Sequence, residues 1–144
     1  MTLKFKHDIL VRNNRIEQMQ AEGCKIKYRV LTDEEYIQCL RQKLIEEAIE
    51  ASTEEDINEL KKEMSDVLEV IENFANAIGS NLEEILEYKK VKQNKIGSFN
   101  KKYFIEYLEL EENNPKIKYF LDRPNKYPVI EDWLKNLLVF NFKH

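Results

Sequence analysis

The composition of this 144-residue chain excludes several classes of protein. Only three glycines and three prolines are present, whereas a β-sandwich or barrel with many short strands needs frequent turn residues. Charged residues make up 35% and apolar residues 42%, which is typical of a folded domain with long surface helices and not of a disordered chain. The net charge of −4 gives no overall attraction to nucleic acid, so we predict no nucleic-acid partner.

Cysteine usage and hydropathy predict a cytoplasmic protein. Cys24 and Cys39 lack the paired spacing of a zinc site and are too few for a disulfide framework, so reduced thiols are expected. The start of the chain has no apolar stretch of the kind found in signal peptides. No apolar run approaches the ~20 residues of a membrane span, and we expect no membrane partner.

The sequence pattern of the N-terminal third of the chain predicts little regular structure before one long helix. Residues 9–12 lead into one or two helical turns, and residues 24–31 alternate weakly, as an extended segment does. Thr32 and Glu35 then have the spacing of a capping box, which predicts a helix beginning at Asp33. Its apolar stripe has the three-and-four spacing of one helical face: Ile37, Leu40, Leu44, Ala48 and Ala51. A second series has the same spacing with one carboxylate inserted: Ile37, Leu40, Leu44, Glu47 and Ala51.

A polar break at residues 52–56 separates this helix from a second one. The turn lies either at Ser52 and Thr53, where the pattern breaks, or near Asp56, where the symmetry of a helical hairpin would place it. The second helix has the strongest periodicity in the chain: Ile57, Leu60, Met64, Val67, Ile71, Phe74 and Ile78.

Glycines and caps define a third helix. Gly79 stands where a glycine ends a helix, and Ser80 with Glu83 has the spacing of a capping box. The helix is predicted from Leu82 to about Lys95, before Gly97. Three helices joined by short connections predict an all-α fold built as an antiparallel helical bundle.

The C-terminal part of the chain is less regular. Residues 99–110 are compatible with an extended or a helical conformation, and turns are predicted at residues 113–115 and 123–125. Residues 130–139, which include Trp133, have the pattern of a short amphipathic helix. We predict a domain over residues 1–110 and an extension of unknown role over residues 111–144, packed on the same domain.

Four carboxylates lie beside the apolar seams of the first two long helices. At about 100° per residue, Glu47 falls roughly 60° and Glu50 roughly 120° from Leu44. Glu63 and Asp66 are three residues apart and so are neighbours on one flank of the next helix. Packing the two helices would crowd four negative charges unless a hard cation such as Mg²⁺ offset them. A solvated surface with ordinary salt bridges is the alternative interpretation.

The order of these carboxylates resembles a known signature. Residues 46–50 and 63–66, which read Glu-Glu-Ala-Ile-Glu and Glu-Met-Ser-Asp, are similar to the E-E-x-x-E … E-x-x-D motif of the MazG-like all-α nucleoside triphosphate pyrophosphohydrolases. Flanking segments resemble a house-cleaning branch of that family: residues 10–12, 29–31, 33–36 and 66–71, and Gly97 with Phe99. The resemblance covers roughly residues 8–108.

The resemblance implies hydrolysis of a nucleoside triphosphate, including noncanonical or damaged ones, between the α and β phosphates. Mg²⁺, with Mn²⁺ as an alternative, would be held by residues matching the motif: Glu47, Glu50, Glu63 and Asp66. Asn73 and Lys90 would contact the nucleotide. Members of the family assemble as homodimers or higher homo-oligomers, so the same is expected here.

Three further features complete the predicted site. Glu46 is a candidate to orient or deprotonate the attacking water, so that Glu46 and Glu47 form the catalytic pair. Arg12 is a candidate for binding phosphate, because its guanidinium binds bidentately, and a structural ion pair is an equally good interpretation. Asn13 and Asn14 depart from the Asp-Lys that follows Arg in this branch. The alternative function is a catalytically silent helical dimer that serves as a binding or structural module.

Overall fold

The computed structural model describes residues 2–130, and within that range every regular element is helical. The helices are α1 (Arg15–Ala21), α2 (Asp33–Thr53), α3 (Ile57–Ala77), α4 (Leu82–Ile96) and α5 (Ile117–Leu121), with a single 3₁₀ turn at Phe99–Lys101. The predicted all-α class is confirmed for this part of the chain. Apart from Ile130, the helix predicted over residues 130–139 lies outside the described residues.

The described residues divide into two compact units between Ser98 and Phe99. The first unit contains the four helices α1 to α4. In the second unit, Tyr119, Phe120 and Tyr127 form an aromatic cluster with ring centroids 5.0 to 6.1 Å apart, and the Arg123 guanidinium lies 4.1 Å from the Tyr119 ring centroid. Residues 99–110, whose sequence is compatible with an extended or a helical conformation, contain only the 3₁₀ turn as regular structure.

The start of α2 is held by the predicted capping box. Glu35 N–H donates to Thr32 Oγ1 at 3.3 Å, and Thr32 N–H donates to Glu35 Oε2 at 3.0 Å. Arg29 adds two donors to the same carboxylate, at 2.8 and 2.7 Å. These bonds from Arg29 and then from the Thr32 backbone lower the pKa of Glu35 to about 2.

The turn between α2 and α3 lies near Asp56, the second of the two predicted positions. Helix α2 continues through Thr53, whose hydroxyl donates to carbonyls of the preceding turn. Residues 54–56 make the connection, and the Asp56 carboxylate caps α3 by accepting from the N–H groups of Asn58 and Glu59. The short connection holds the end of one helix beside the start of the next.

The cap of α4 differs from the predicted one. The Ser80–Glu83 capping box is wrong, because Asn81 is the capping residue and its Oδ1 accepts from Glu84 N–H at 2.8 Å. Ser80 instead donates its hydroxyl to the Glu84 carboxylate. Gly79 has φ +80° and Gly97 has φ +82°, so both glycines supply the left-handed backbone that ends a helix, as predicted.

A narrow core joins α2 to α3, and α3 also contacts α4. Its most buried apolar side chains are Leu40, Val70 and Ala75, exposed by 2%, 6% and 3%. Glu47 is buried to the same degree, at 5% exposure, whereas Ala48 is exposed. The seam of α2 therefore follows the series that includes the carboxylate. None of the described helices combines the length and hydropathy needed to cross a bilayer.

Candidate metal centre

Three carboxylates from α2 and α3 converge at one point. Glu47 and Glu50, almost one turn apart near the end of α2, face Glu63 in the early part of α3. Each contributes one oxygen atom, and these three oxygens all lie within 4.8 Å of one another. The turn at residues 54–56 brings them together, because it holds the adjoining helix ends side by side. Three of the four predicted metal ligands thus share one site.

The three carboxylates differ in exposure, and their charges interact. Glu47 is buried, Glu63 is half-buried and Glu50 is exposed. Partial burial raises the pKa of Glu63, and the neighbouring negative charges of Glu50, Asp66 and Glu47 raise it further. Burial is the largest cause of this shift, and the neighbouring carboxylates at the α3 side of the site add to it.

Lys43 neutralises the α2 side of the site. Its Nζ lies 2.6 Å from Glu47 Oε1 and 2.9 Å from Glu46 Oε1, and its side chain is only 24% exposed. Partial burial lowers the pKa of Lys43, but hydrogen bonds and charge attraction from Glu47 and Glu46 outweigh it, so the net shift is upward. Glu46, the candidate base, is therefore a partner of Lys43 at the edge of the converging oxygens.

Asp66, the fourth predicted ligand, is bound to Arg12. Its Oδ1 lies 2.5 Å from Arg12 Nη2, and Arg12 Nη1 lies 3.6 Å from Glu69 Oε2. Asp66 is not one of the residues whose oxygens meet within 4.8 Å. Of the two interpretations of Arg12, the ion pair is the one present here. The charge of Asp66 still acts on the cluster, because it contributes to the raised pKa of Glu63.

Asn73 and Lys90, the predicted nucleotide contacts, lie in different surroundings. The Asn73 amide donates to the carbonyl and the carboxylate of Glu69, and its Oδ1 accepts from the Tyr36 hydroxyl at 3.4 Å. It also lines an open depression of about 390 Å³ with Asp33, Tyr36, Asn76 and Ala77. Lys90 lies on α4, is 69% exposed and is 3.7 Å from Glu87. Within residues 2–130, no ion pair links Lys90 to the converging carboxylates.

The donor set of the site fits a hard divalent cation. Carboxylate oxygens are the ligands of Mg²⁺ and Mn²⁺, whereas a zinc site would use His or Cys. Opposite ligands in an octahedron of Mg²⁺ are about 4 Å apart and adjacent ones about 3 Å. Oxygens within 4.8 Å of one another can reach such distances by side-chain rotation.

Sequence reasoning missed three residues around the site. Lys43 had a local signal, since it stands three and four residues before Glu46 and Glu47, where side chains of one helix meet. Glu69 also had a local signal, since it stands four residues before Asn73 on α3. The contact of Glu69 with Arg12 and that of Tyr36 with Asn73 had none, because both depend on how distant segments pack.

Comparisons with protein-family profiles, with curated proteins and with solved structures find no match to this chain. Membership of the MazG-like family therefore stays a prediction from the sequence motif.

Proposed function

We propose that this protein is a Mg²⁺-dependent nucleoside triphosphate pyrophosphohydrolase that releases a nucleoside monophosphate and pyrophosphate. The observation that carries the proposal is the convergence of Glu47, Glu50 and Glu63 from two helices onto one point. Like charges this close oppose folding unless a cation neutralises them. Within residues 2–130, the carboxylates that pair with Lys43 are those of Glu47 and Glu46. Burial and, after it, repulsion from Glu50, Asp66 and Glu47 raise the pKa of Glu63 on the α3 side.

In the proposed reaction, Glu47, Glu50, Glu63 and Asp66 would hold the cation. When bound, Mg²⁺ polarises phosphoryl oxygens and lowers the pKa of water. A water oxygen forms the new bond to phosphorus, the α–β bridging bond breaks, and pyrophosphate leaves. Glu46 accepts the proton of the water through Oε2, since Lys43 binds its Oε1. Lys43 keeps that carboxylate oriented before the step.

The nucleoside end of the substrate is assigned to the depression beside Asn73. Asn73 lies seven residues after Asp66 and ten after Glu63 on α3, which places it about 10 Å along the helix from Asp66 and about 15 Å from Glu63. Tyr36 and Asn76 line the same depression and supply an aromatic ring and an amide. Lys90 and Arg12 are the proposed phosphate contacts.

We infer that the active form is a homodimer built on an antiparallel α2–α3 hairpin of MazG type. Tyr36, early in α2, bonds Asn73, late in α3, whereas Glu50, late in α2, lies beside Glu63, early in α3. That order is expected for antiparallel helices. Apolar side chains one turn apart on each helix remain more than half exposed in the single chain: Ile45, Ile49, Met64 and Leu68. A second copy is the proposed cover for this face.

Pyrophosphate release tests the proposed activity. The protein is incubated with a panel of NTPs and dNTPs, with and without Mg²⁺. We expect pyrophosphate release to depend on Mg²⁺ and its rate to fall by at least about 10- to 100-fold in Glu63→Gln. A loss of that size follows when a residue that only supports a metal ligand is replaced, and Glu63 is itself a proposed ligand. Glu63 is the better position to replace, because a Glu47 variant would also disturb Lys43. Glu72→Gln is the matched control, since Glu72 is exposed on the same helix.

The outcome of the same assay separates the enzyme from a catalytically silent helical dimer. Release from none of the nucleotides, by protein shown to be folded and dimeric by light scattering, would overturn the enzyme proposal and favour a binding module. Equal release by the wild type and Glu63→Gln would place the chemistry elsewhere. The exposed apolar face of α2 and α3 is compatible with either function.

A further inference from the structure

Asp66 stands apart from the other three proposed ligands because it does not join their cluster of oxygens and is paired with an arginine of the N-terminal segment. Arg12 Nη2 lies 2.5 Å from Asp66 Oδ1, and Arg12 Nη1 lies 3.6 Å from Glu69 on the same helix. On the opposite side of the cluster, Lys43 has the corresponding place beside Glu47. Each side of the acidic cluster thus has one basic side chain paired with one of its carboxylates.

We propose that Arg12 and the divalent cation compete for Asp66, so that metal binding releases Arg12 from α3. This inference rests on the proposed metal site. A cation bound to Asp66 would stand within a few ångströms of the guanidinium, and a charge of +2 repels a charge of +1 strongly at that distance. The side chains of Arg12 and Asp66 are 60% and 38% exposed, so the ion pair is weak enough to exchange.

Releasing Arg12 would loosen the N-terminal segment. Residues 2–12 contain no helix or strand. Of the side-chain hydrogen bonds and ion pairs described, those of Arg12 are the ones that tie this segment to α3. Leu10 and Val11 are half-buried and remain as apolar anchors. The freed guanidinium then has its donors available, beside the metal, for a phosphate oxygen of the substrate.

Competition and a static ion pair predict different effects of removing Arg12. We measure Mn²⁺ binding by electron paramagnetic resonance, and thermal unfolding in EDTA and in saturating Mn²⁺, for wild type and Arg12→Met. Under competition, Arg12→Met binds Mn²⁺ about two- to five-fold more tightly, the range that corresponds to an exposed ion pair. Its melting temperature falls in EDTA and equals that of wild type in saturating Mn²⁺, because linkage requires both effects to have the same origin.

A matched variant controls for the general loss of positive charge. Lys62 lies close enough to the cluster to feel the charge of Glu63, but it pairs with Glu59 at 2.6 Å and not with Asp66. We expect Lys62→Met to change Mn²⁺ affinity clearly less than Arg12→Met does. An equal gain in Mn²⁺ affinity in both variants would show that the gain comes from the general loss of positive charge, and it would overturn the proposed competition.

The remaining outcomes are equally decisive. Unchanged or weaker Mn²⁺ binding by Arg12→Met, or a melting-temperature loss that persists in saturating Mn²⁺, would show a static pair and overturn the inference while leaving the metal site intact. A wild-type protein that binds no Mn²⁺ would overturn the proposed metal site itself, and the competition with it.

Discussion

The two sides of the acidic cluster are neutralised in opposite ways. On the α2 side, Lys43 is 24% exposed and stands one turn before Glu47 on the same helix. On the α3 side, Arg12 is 60% exposed and is separated from Asp66 by 54 residues of chain. A local, largely buried pair forms together with its helix, whereas a distant, exposed pair forms only once the N-terminal segment has packed.

This difference gives the two pairs different energetic weight. Removing one partner of a buried pair leaves an unpaired buried charge, which costs several kilocalories per mole. Exposed pairs contribute about 0–1 kcal/mol, because solvent screens them and ordering long side chains opposes them. The α2 side is therefore the fixed half of the site, and the α3 side is the half that can rearrange.

The largest expected effect is that of removing Lys43. In EDTA, Lys43→Met should lower the free energy of unfolding by about 2–4 kcal/mol, because Glu47 would remain buried without its cation. Urea denaturation measures the loss, and added Mg²⁺ should restore part of it. Lys62→Met, at an exposed pair, should lower the free energy of unfolding far less. A Lys43 variant as stable as this control would contradict the contrast between the two sides.

The same Glu-to-Gln substitution should have opposite signs on the two sides. Glu47→Gln should lower the free energy of unfolding by about 1–3 kcal/mol in EDTA, because Lys43 would lose the more buried of its two charged partners. Glu63→Gln should melt at a higher temperature than wild type, since it removes one of several repelling charges. Losses of similar size in both variants would show that the sides are equivalent.

The stabilisation by Glu63→Gln should depend on pH in a defined direction. The pKa of Glu63 is raised above its ordinary value of 4.5, so its ionised form opposes folding. That penalty is absent below 4.5 and develops as the pH rises through the raised pKa. The advantage of Glu63→Gln in melting temperature should therefore be present at neutral pH and disappear in acid.

The smallest effect is expected at an ion pair outside the cluster, which serves as a reference for both sides. Glu35 has a pKa of about 2, lowered mainly by Arg29, so its contribution to stability is complete above the ordinary 4.5 and is lost as the pH falls through about 2. Arg29→Met should bring the pKa of Glu35 closer to 4.5 and so narrow the pH range over which this contribution is lost. The difference in melting temperature between wild type and Arg29→Met should then shrink steadily below 4.5; a difference independent of pH would contradict it.

Features set by short-range spacing could be predicted from the sequence. The capping box of Thr32 and Glu35, the periodicity of α3 and the glycines that end α3 and α4 all depend on neighbours within one or two turns. The cap of α4 was misplaced by one residue, because Ser80 and Asn81 are both capping types and only the backbone geometry decides between them.

The same distinction between short-range spacing and long-range packing applies to the candidate site. The spacing of Glu47 and Glu50 and of Glu63 and Asp66 predicted two acidic pairs, and the structure brings three of the four together. That Arg12 would engage Asp66 could not be chosen from the sequence over a phosphate contact, because the pair joins residues 54 positions apart. Long-range partners depend on packing, which no local pattern encodes.

The position of Glu47 in the seam implies a trade-off between stability and function. It occupies a place where helical spacing calls for an apolar side chain, next to the Leu40–Leu44 stripe. Replacing a buried ion pair such as Lys43–Glu47 with well-packed apolar residues is often neutral or stabilising by about 1–4 kcal/mol. The helix pair thus keeps a charged pair in its core where leucine and methionine would serve folding equally well.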